Sequence, residues 1–145
     1  MATTTSRELE TGRPEATEAA AGRLARHVGR GDLLLLAGEM GAGKTTFVRG
    51  LAAGMGVTGD VMSPTFQLVR VYRGPVQLAH VDLYRLDGAA ELADLGLDEL
   101  LDEGAVVVEW GDRLREPGAV RIAIDVLGEH RRRLRIEEAP DRWSW

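Results

Sequence analysis

The 145-residue chain contains no cysteine, and only one of its 18 Lys and Arg residues is lysine. Without thiols there is no disulfide and no thiolate metal site, which fits a reducing cytosol. No apolar run approaches the ~20 residues needed to span a bilayer. The start, Met1-Ala2-Thr3-Thr4-Thr5-Ser6, lacks a basic, apolar leader. A cytoplasmic protein with no membrane association is therefore expected. The formal charge of −5 makes a stand-alone nucleic-acid binder a poor reading, because sequence-independent affinity comes from neutralising phosphates. Contact with RNA is expected only through a partner or a local patch.

The lone lysine is Lys44. It sits in Gly38-Glu39-Met40-Gly41-Ala42-Gly43-Lys44-Thr45-Thr46, which matches the phosphate-binding loop pattern G-x-x-x-x-G-K-[ST]. A compact ammonium reaches between phosphate oxygens as a point charge, where a planar guanidinium is no substitute. Gly41 and Gly43 permit backbone conformations closed to other residues. Successive N–H groups then form a nest for anions, and the following helix adds its positive dipole end. Thr45 supplies a hydroxyl for Mg²⁺. The apolar run Leu33 to Ala37 precedes the loop, and Phe47, Val48, Leu51 and Met55 follow at helical spacing. The motif thus has its strand–loop–helix context.

Along the rest of the chain, Leu9 marks a short edge strand. Pro14 opens a helix with Ala16, Ala20, Leu24 and Val28 on one face. Gln67–Tyr72 and Val76–Asp82, separated by Gly74-Pro75, read as an antiparallel hairpin. Asp87 is a helix cap for a short segment to Leu95, and one or two helical turns follow from Leu97 to Leu101. Ala105 to Val108 is a buried strand, and 120–126 and 130–138 form a second antiparallel pair with Leu134 and Ile136 inward. The expected fold is α/β: a small P-loop NTPase sandwich with a mainly parallel central sheet and antiparallel additions. One domain spans 1–145, with 1–6 and 140–145 as flexible tails.

A phosphate loop needs a carboxylate to hold Mg²⁺ or its water, and a group to orient the attacking water. Two strand-end acids fit. Glu109 closes the stronger strand and is favoured for the metal. Asp82 closes Leu78-Ala79-His80-Val81 and is favoured as a metal-supporting or water-orienting group. Ser63-Pro64-Thr65 reads either as a phosphate-sensing switch or as an ordinary turn. His80 is as readily a structural histidine as a site residue. Arg85 reads as an arginine finger, a partner contact or a surface residue, and Trp110 as a site wall, a partner anchor or core. On an alternating strand half of the run Arg131-Arg132-Arg133-x-Arg135 is a solvated face, with contact to nucleotide, RNA or an acidic partner as alternatives.

Four motifs taken together, 38–47, Ser63-Pro64-Thr65-Phe66, His80-Val81-Asp82-Leu83-Tyr84-Arg85-Leu86 and Glu109-Trp110, resemble the bacterial tRNA threonylcarbamoyladenosine biosynthesis ATPases, the TsaE or YjeE family. The likeness runs from about Thr17 to Asp125. Glu39-Met40 stands where that family usually has Asp-Leu, and neither side chain is needed for the nest. The resemblance implies a small cytoplasmic ATPase using ATP and Mg²⁺. It implies partners like TsaB and TsaD, which transfer a threonylcarbamoyl group to adenosine 37 of tRNA, so tRNA is met only through that complex. It also implies that Gly38, Glu39, Met40, Gly41, Ala42, Gly43, Lys44, Thr45 and Thr46 hold the nucleotide, with Thr17 near the adenine and Thr65 as the switch. Thr45, Glu109 and Asp82 would serve the metal, and Lys44, Asp82 and Glu109 catalysis. Turnover in isolation would be slow.

Two rivals remain on the sequence. A small-molecule kinase needs an acceptor pocket and an arginine-bearing lid, and no such insertion is visible. A nucleotide-dependent binding module would bind without productive hydrolysis. A GTPase is set aside, because guanine readout by Asn-Lys-x-Asp needs a second lysine.

Overall fold

The run Leu33-Leu34-Leu35-Leu36 has no polar face, so only a strand covered on both sides can accommodate it. A computed structural model, which describes residues 7–57, 69–82, 96–110, 114 and 116–145, places it at the centre of one sheet. The described elements are β1 (Glu8–Thr11), α1 (Pro14–Leu24) with a 3₁₀ turn at Ala25–His27, β2 (Leu33–Ala37), α2 (Lys44–Gly54), β3 (Val69–Tyr72), β4 (Gln77–Asp82), α3 (Leu97–Glu103), β5 (Gly104–Glu109), β6 (Val120–Val126) and β7 (Arg132–Glu138). The strand order is β1-β7-β6-β2-β5-β4-β3. The four inner strands β6, β2, β5 and β4 are mutually parallel. β7 and β1 add antiparallel on one side and β3 on the other. This is the expected mainly parallel core with antiparallel additions.

Strand alternation sorts the core into two layers. Leu34, Leu36, Leu78, Val107, Ile122 and Leu134 face α1 and α2. Leu33, Leu35, Val106 and Val108 face the opposite way, toward Leu97, Leu100 and Leu101 of α3 and toward Leu114. In α1, Pro14 stands in the first turn and the buried stripe is Thr17, Ala20, Ala21 and Leu24. That is one step round from the face expected through Ala16, which is half-buried.

α1 and α2 meet backbone to backbone. A Cβ at Gly50 would lie 2.2 Å from the Glu18 carbonyl oxygen, and one at Gly54 would lie 2.4 Å from that of Gly22. Any side chain there would force the helices apart.

Residues 140–145 do not form the loose tail expected of them. Trp143 is only 1% exposed, and its ring stacks on His27 at 5.4 Å. Trp145 meets Phe47 edge-on at 6.0 Å and donates its indole N–H to the Arg7 carbonyl at 3.0 Å. Two large aromatic side chains bury enough apolar area to offset the ordering of a six-residue segment. The other expected tail, 1–6, lies outside the described residues. So do the expected helix from Asp87 to Leu95 and the segments 63–66 and 83–86.

The close helix contact sets an expected outcome. Gly50→Ala should lower stability by roughly 1–3 kcal/mol despite alanine's better helix propensity, because overpacking outweighs it. Gly22→Ala, whose Cβ would sit 3.5 Å from the Gly50 carbonyl, should be neutral or stabilising. Urea unfolding of the two variants makes the comparison; equal stabilities would show that the helices give way freely.

His27 sets a second outcome. Burial, then the Arg26 and Arg142 charges, hold its imidazole below the ordinary value of 6.5, while a hydrogen bond with the Ser144 backbone opposes them. Its Nε2 accepts the Ser144 N–H at 3.3 Å, so the fold holds the unprotonated form. The unfolded chain binds the proton first. This contribution to stability is therefore intact above about pH 6.5 and falls as acid carries the pH down to the lowered folded value. His27→Phe, which keeps an aromatic ring but cannot charge, should lose less stability than the wild type between pH 7.5 and 5.5 in paired urea titrations.

Candidate functional site

The loop from Gly38 to Gly43 joins the central strand β2 to α2. Gly41 and Gly43 have φ of 80° and 101°, left-handed values that favour glycine. Phe47 N–H makes the first helical bond, to Gly43 O at 2.8 Å. The N–H groups before it have no partner within the helix and carry its positive dipole end. This is a ready anion cradle.

Lys44 is only 6% exposed. Its Nζ donates to the carbonyls of Gly38 at 2.6 Å and Glu39 at 3.0 Å, and lies 3.7 Å from the centre of the Trp110 ring. Trp110 has φ of 64°, the one positive value at a non-glycine among the described residues. It ends β5 in a left-handed step that lays its ring against the ammonium, a cation–π contact.

The two strand-end acids stand side by side, because β4 and β5 pair in parallel with Asp82 opposite Glu109. Glu109 is 4% exposed. The Thr45 hydroxyl lies 3.2 and 3.4 Å from its two carboxylate oxygens, and His80 Nε2 lies 2.5 Å from Oε2. Loop residues 40–46, Asp82, Glu109 and Trp110 line one open cleft of about 440 Å³. The described residues hold no group of three or more His, Cys, Asp or Glu arranged to grip a metal unaided. What converges is a hydroxyl and a carboxylate, an all-oxygen pair. It suits a hard dication that keeps its waters and takes its remaining ligands from a bound phosphate.

Thr17 lines a smaller recess of about 120 Å³ on the other side of the loop, together with Gly41, Thr46, His130 and Arg132. Its hydroxyl is engaged with that of Thr11 at 2.7 Å. Thr65 and Arg85 fall outside the described residues. The structure thus brings Lys44, Thr45, Asp82 and Glu109 to one cleft and sets Thr17 beside it.

The basic run at 131–135 divides. Arg131 and Arg133 pair with Glu10, and Arg135 with Asp125 and Glu137, so these three are cross-strand and surface ion pairs. Arg132 points the other way. Its guanidinium donates to Ala42 O at 2.9 Å and Gly41 O at 3.2 Å, bracing the loop from behind. Half of the run was expected on a solvated face; the hold of Arg132 on the loop carbonyls was not foreseen. The signal was present, since Arg132 shares the inward parity of Leu134 and Ile136.

Comparison with known proteins adds an independent finding. Residues 11–136 match the family model described as threonylcarbamoyl adenosine biosynthesis protein TsaE. A tRNA threonylcarbamoyladenosine biosynthesis protein TsaE from Streptomyces coelicolor is 48% identical over 122 residues, covering 81% of this chain and 76% of the relative. The protein of the same name from Bacillus subtilis is 38% identical over 136 residues, covering 90% and 85%. The crystal structure of Bacillus subtilis YdiB superposes with a TM-score of 0.75 at 33% identity, covering 97% of this chain and 92% of that one.

The Arg132 brace can be tested without any ligand. Arg132→Ala should leave the fold intact and speed amide hydrogen exchange at Gly41–Gly43 severalfold, whereas Arg131→Ala should leave those amides unchanged. Equal protection in both variants would mean that the loop holds its shape unaided.

Proposed function

Because this chain belongs to the TsaE family, we propose that it is an ATPase of tRNA threonylcarbamoyladenosine formation, binding ATP with Mg²⁺ and hydrolysing it to cycle a partner complex of TsaB-like and TsaD-like proteins. One observation carries the reading. Thr45 opens the helix behind the phosphate loop, Glu109 closes a strand 64 residues later, and the two meet at 3.2 Å in the same cleft as Lys44. A loop that only bound an anion would not need an almost buried carboxylate at that point.

Each residue then has a role. The N–H groups of 41–46 cradle the phosphates. Lys44 shifts its charge from the Gly38 and Glu39 carbonyls and the Trp110 ring face to phosphate oxygens. Thr45 and Glu109 would hold the metal, with Asp82 beside them to support it and to orient the water that attacks the terminal phosphorus. Mg²⁺ bound there offsets the charge that builds on the phosphate oxygens. Thr17 and its recess lie toward the adenine end, and Thr65 is the candidate switch on its sequence motif alone. The cleft is open, and no described element closes over it. Slow turnover alone and completion of the site by a partner belong to the same proposal, on the family resemblance. The protein would work in the cytoplasm and meet tRNA through its partners.

Lys44→Ala should keep the fold and lose ATP-driven turnover by roughly 100-fold or more, the scale on which a charge-stabilising group acts. Glu109→Gln should retain nucleotide binding in EDTA and lose most Mg²⁺-dependent phosphate release. Calorimetry and a phosphate-release assay read both, and a native pull-down with and without ATP should recover the two partner proteins. Wild-type turnover in Lys44→Ala, or no partner under either condition, would sink the reading.

A further inference from the structure

His80 lies in the middle of β4, in the layer that packs on α2. It is fully buried, at 0% exposure. Among the described residues, one of its ring nitrogens has a hydrogen-bond partner and the other has none. Nε2 lies 2.5 Å from Glu109 Oε2, while Nδ1 has no hydrogen-bond partner among the described residues.

A purely structural histidine would satisfy both nitrogens, and an apolar residue at position 80 would leave no orphan at all. An unpaired polar atom in the interior lowers stability. The sequence nonetheless keeps an imidazole here, and the one bond it makes is to the acid of the cleft. The bond also assigns the tautomer. A carboxylate accepts, so Nε2 carries the proton and donates. A proton on Nδ1 would be a buried donor with no acceptor, whereas a bare nitrogen there is the milder orphan.

Glu109 needs such a donor. A glutamate side chain can adopt several staggered rotamers, and the one present here sets its oxygens against the Thr45 hydroxyl at 3.2 and 3.4 Å. His80 grips Oε2 from within the sheet, and Thr45 faces the carboxylate from the cleft. Both neighbours lie on rigid elements, β4 and the first turn of α2. Hydrogen bonds of this kind orient metal-binding groups and raise their affinity for the ion.

We propose that His80 is the positioning residue of this site: through its Nε2–H it locks the carboxylate of Glu109 in the orientation that receives Mg²⁺ beside Thr45. His80 touches neither nucleotide nor metal and acts only through Glu109. The inference rests on the proposed nucleotide site.

Two variants and two readouts test it. Glutamine can put an amide N–H close to the place of Nε2–H, and leucine fills the volume without a donor. ADP binding is measured by calorimetry for wild type, His80→Gln and His80→Leu, with Mg²⁺ and in EDTA. His80→Leu should lose the Mg²⁺-dependent gain in affinity by roughly 10- to 100-fold and match the wild type in EDTA. His80→Gln should stay close to the wild type under both conditions. Independently, long-range ¹H–¹⁵N spectra of the wild type should show the His80 proton on Nε2 alone.

An unchanged Mg²⁺ dependence in His80→Leu overturns the proposal. So does an equal loss in EDTA, which marks a merely structural role, or a proton on Nδ1. If His80→Leu does not fold, failure of the folded His80→Gln to match the wild type decides against it. A wild-type chain that binds no ADP under either condition sinks the nucleotide reading itself, and the metal role of His80 with it; the position of the proton still reports whether the His80–Glu109 bond exists.

Discussion

Parallel pairing of β2, β5 and β4 is the constraint on which the site depends. Parallel strands run out together, so their C-terminal ends stand level at one edge of the sheet. Leu36 lies opposite Glu109, and Glu109 lies opposite Asp82. The phosphate loop leaves β2 at that same edge. Residues 38–46, 82 and 109 are remote in sequence and converge because three backbones share a register. A shift of one residue in β5 would turn Glu109 to the opposite face, toward α3, and leave a valine behind Thr45. Ligands of open α/β sheets are held beyond the carboxyl ends of the strands for the same geometric reason.

Much of this was legible in the chain. The run Leu33 to Ala37, the loop and the helical spacing after Lys44 are local signals, and each lies within a single element. Glu109 could be singled out because an acid ending an all-apolar strand has few other uses. The parts that were not legible involve contacts between elements. Nothing in Trp143 or Trp145 says that His27 and Phe47 will be there to receive them, so the segment read as a tail. The four arginines of 131–135 looked alike until pairing assigned three to acids and one to the loop carbonyls. The bond from His80 to Glu109 depends on the register of two strands, which no spacing in the sequence encodes. The motif at 63–66 and Arg85 lie outside the described residues, and their roles rest on sequence alone.

The helical side of the sheet shows a related economy of space. Gly50 and Gly54 let α1 lie directly on α2, the helix whose first turn carries Lys44 and Thr45. That helix is thus packed against the sheet on one side and against another backbone on the other. Arg132 supports the loop from β7, on the far side of β6 from β2. Lys44, Thr45 and the loop amides are therefore mounted on a frame with little room to shift. A cradle for a charged ligand benefits from that, because its dipoles need not reorganise when charge arrives.

The hold on Lys44 has a consequence for selectivity. Its ammonium is already occupied by two carbonyl oxygens and an aromatic face. An anion that draws on this charge competes with that arrangement instead of simply landing on an exposed ion. Chloride or a lone carboxylate brings one charge and few acceptors, and gains little by the exchange. A polyphosphate brings several acceptors at once and fills the amide nest in the same step. If the loop binds the nucleotide proposed for it, the resting contacts of Lys44 would weigh against small single-charge anions and favour a polyphosphate before any base or sugar is read.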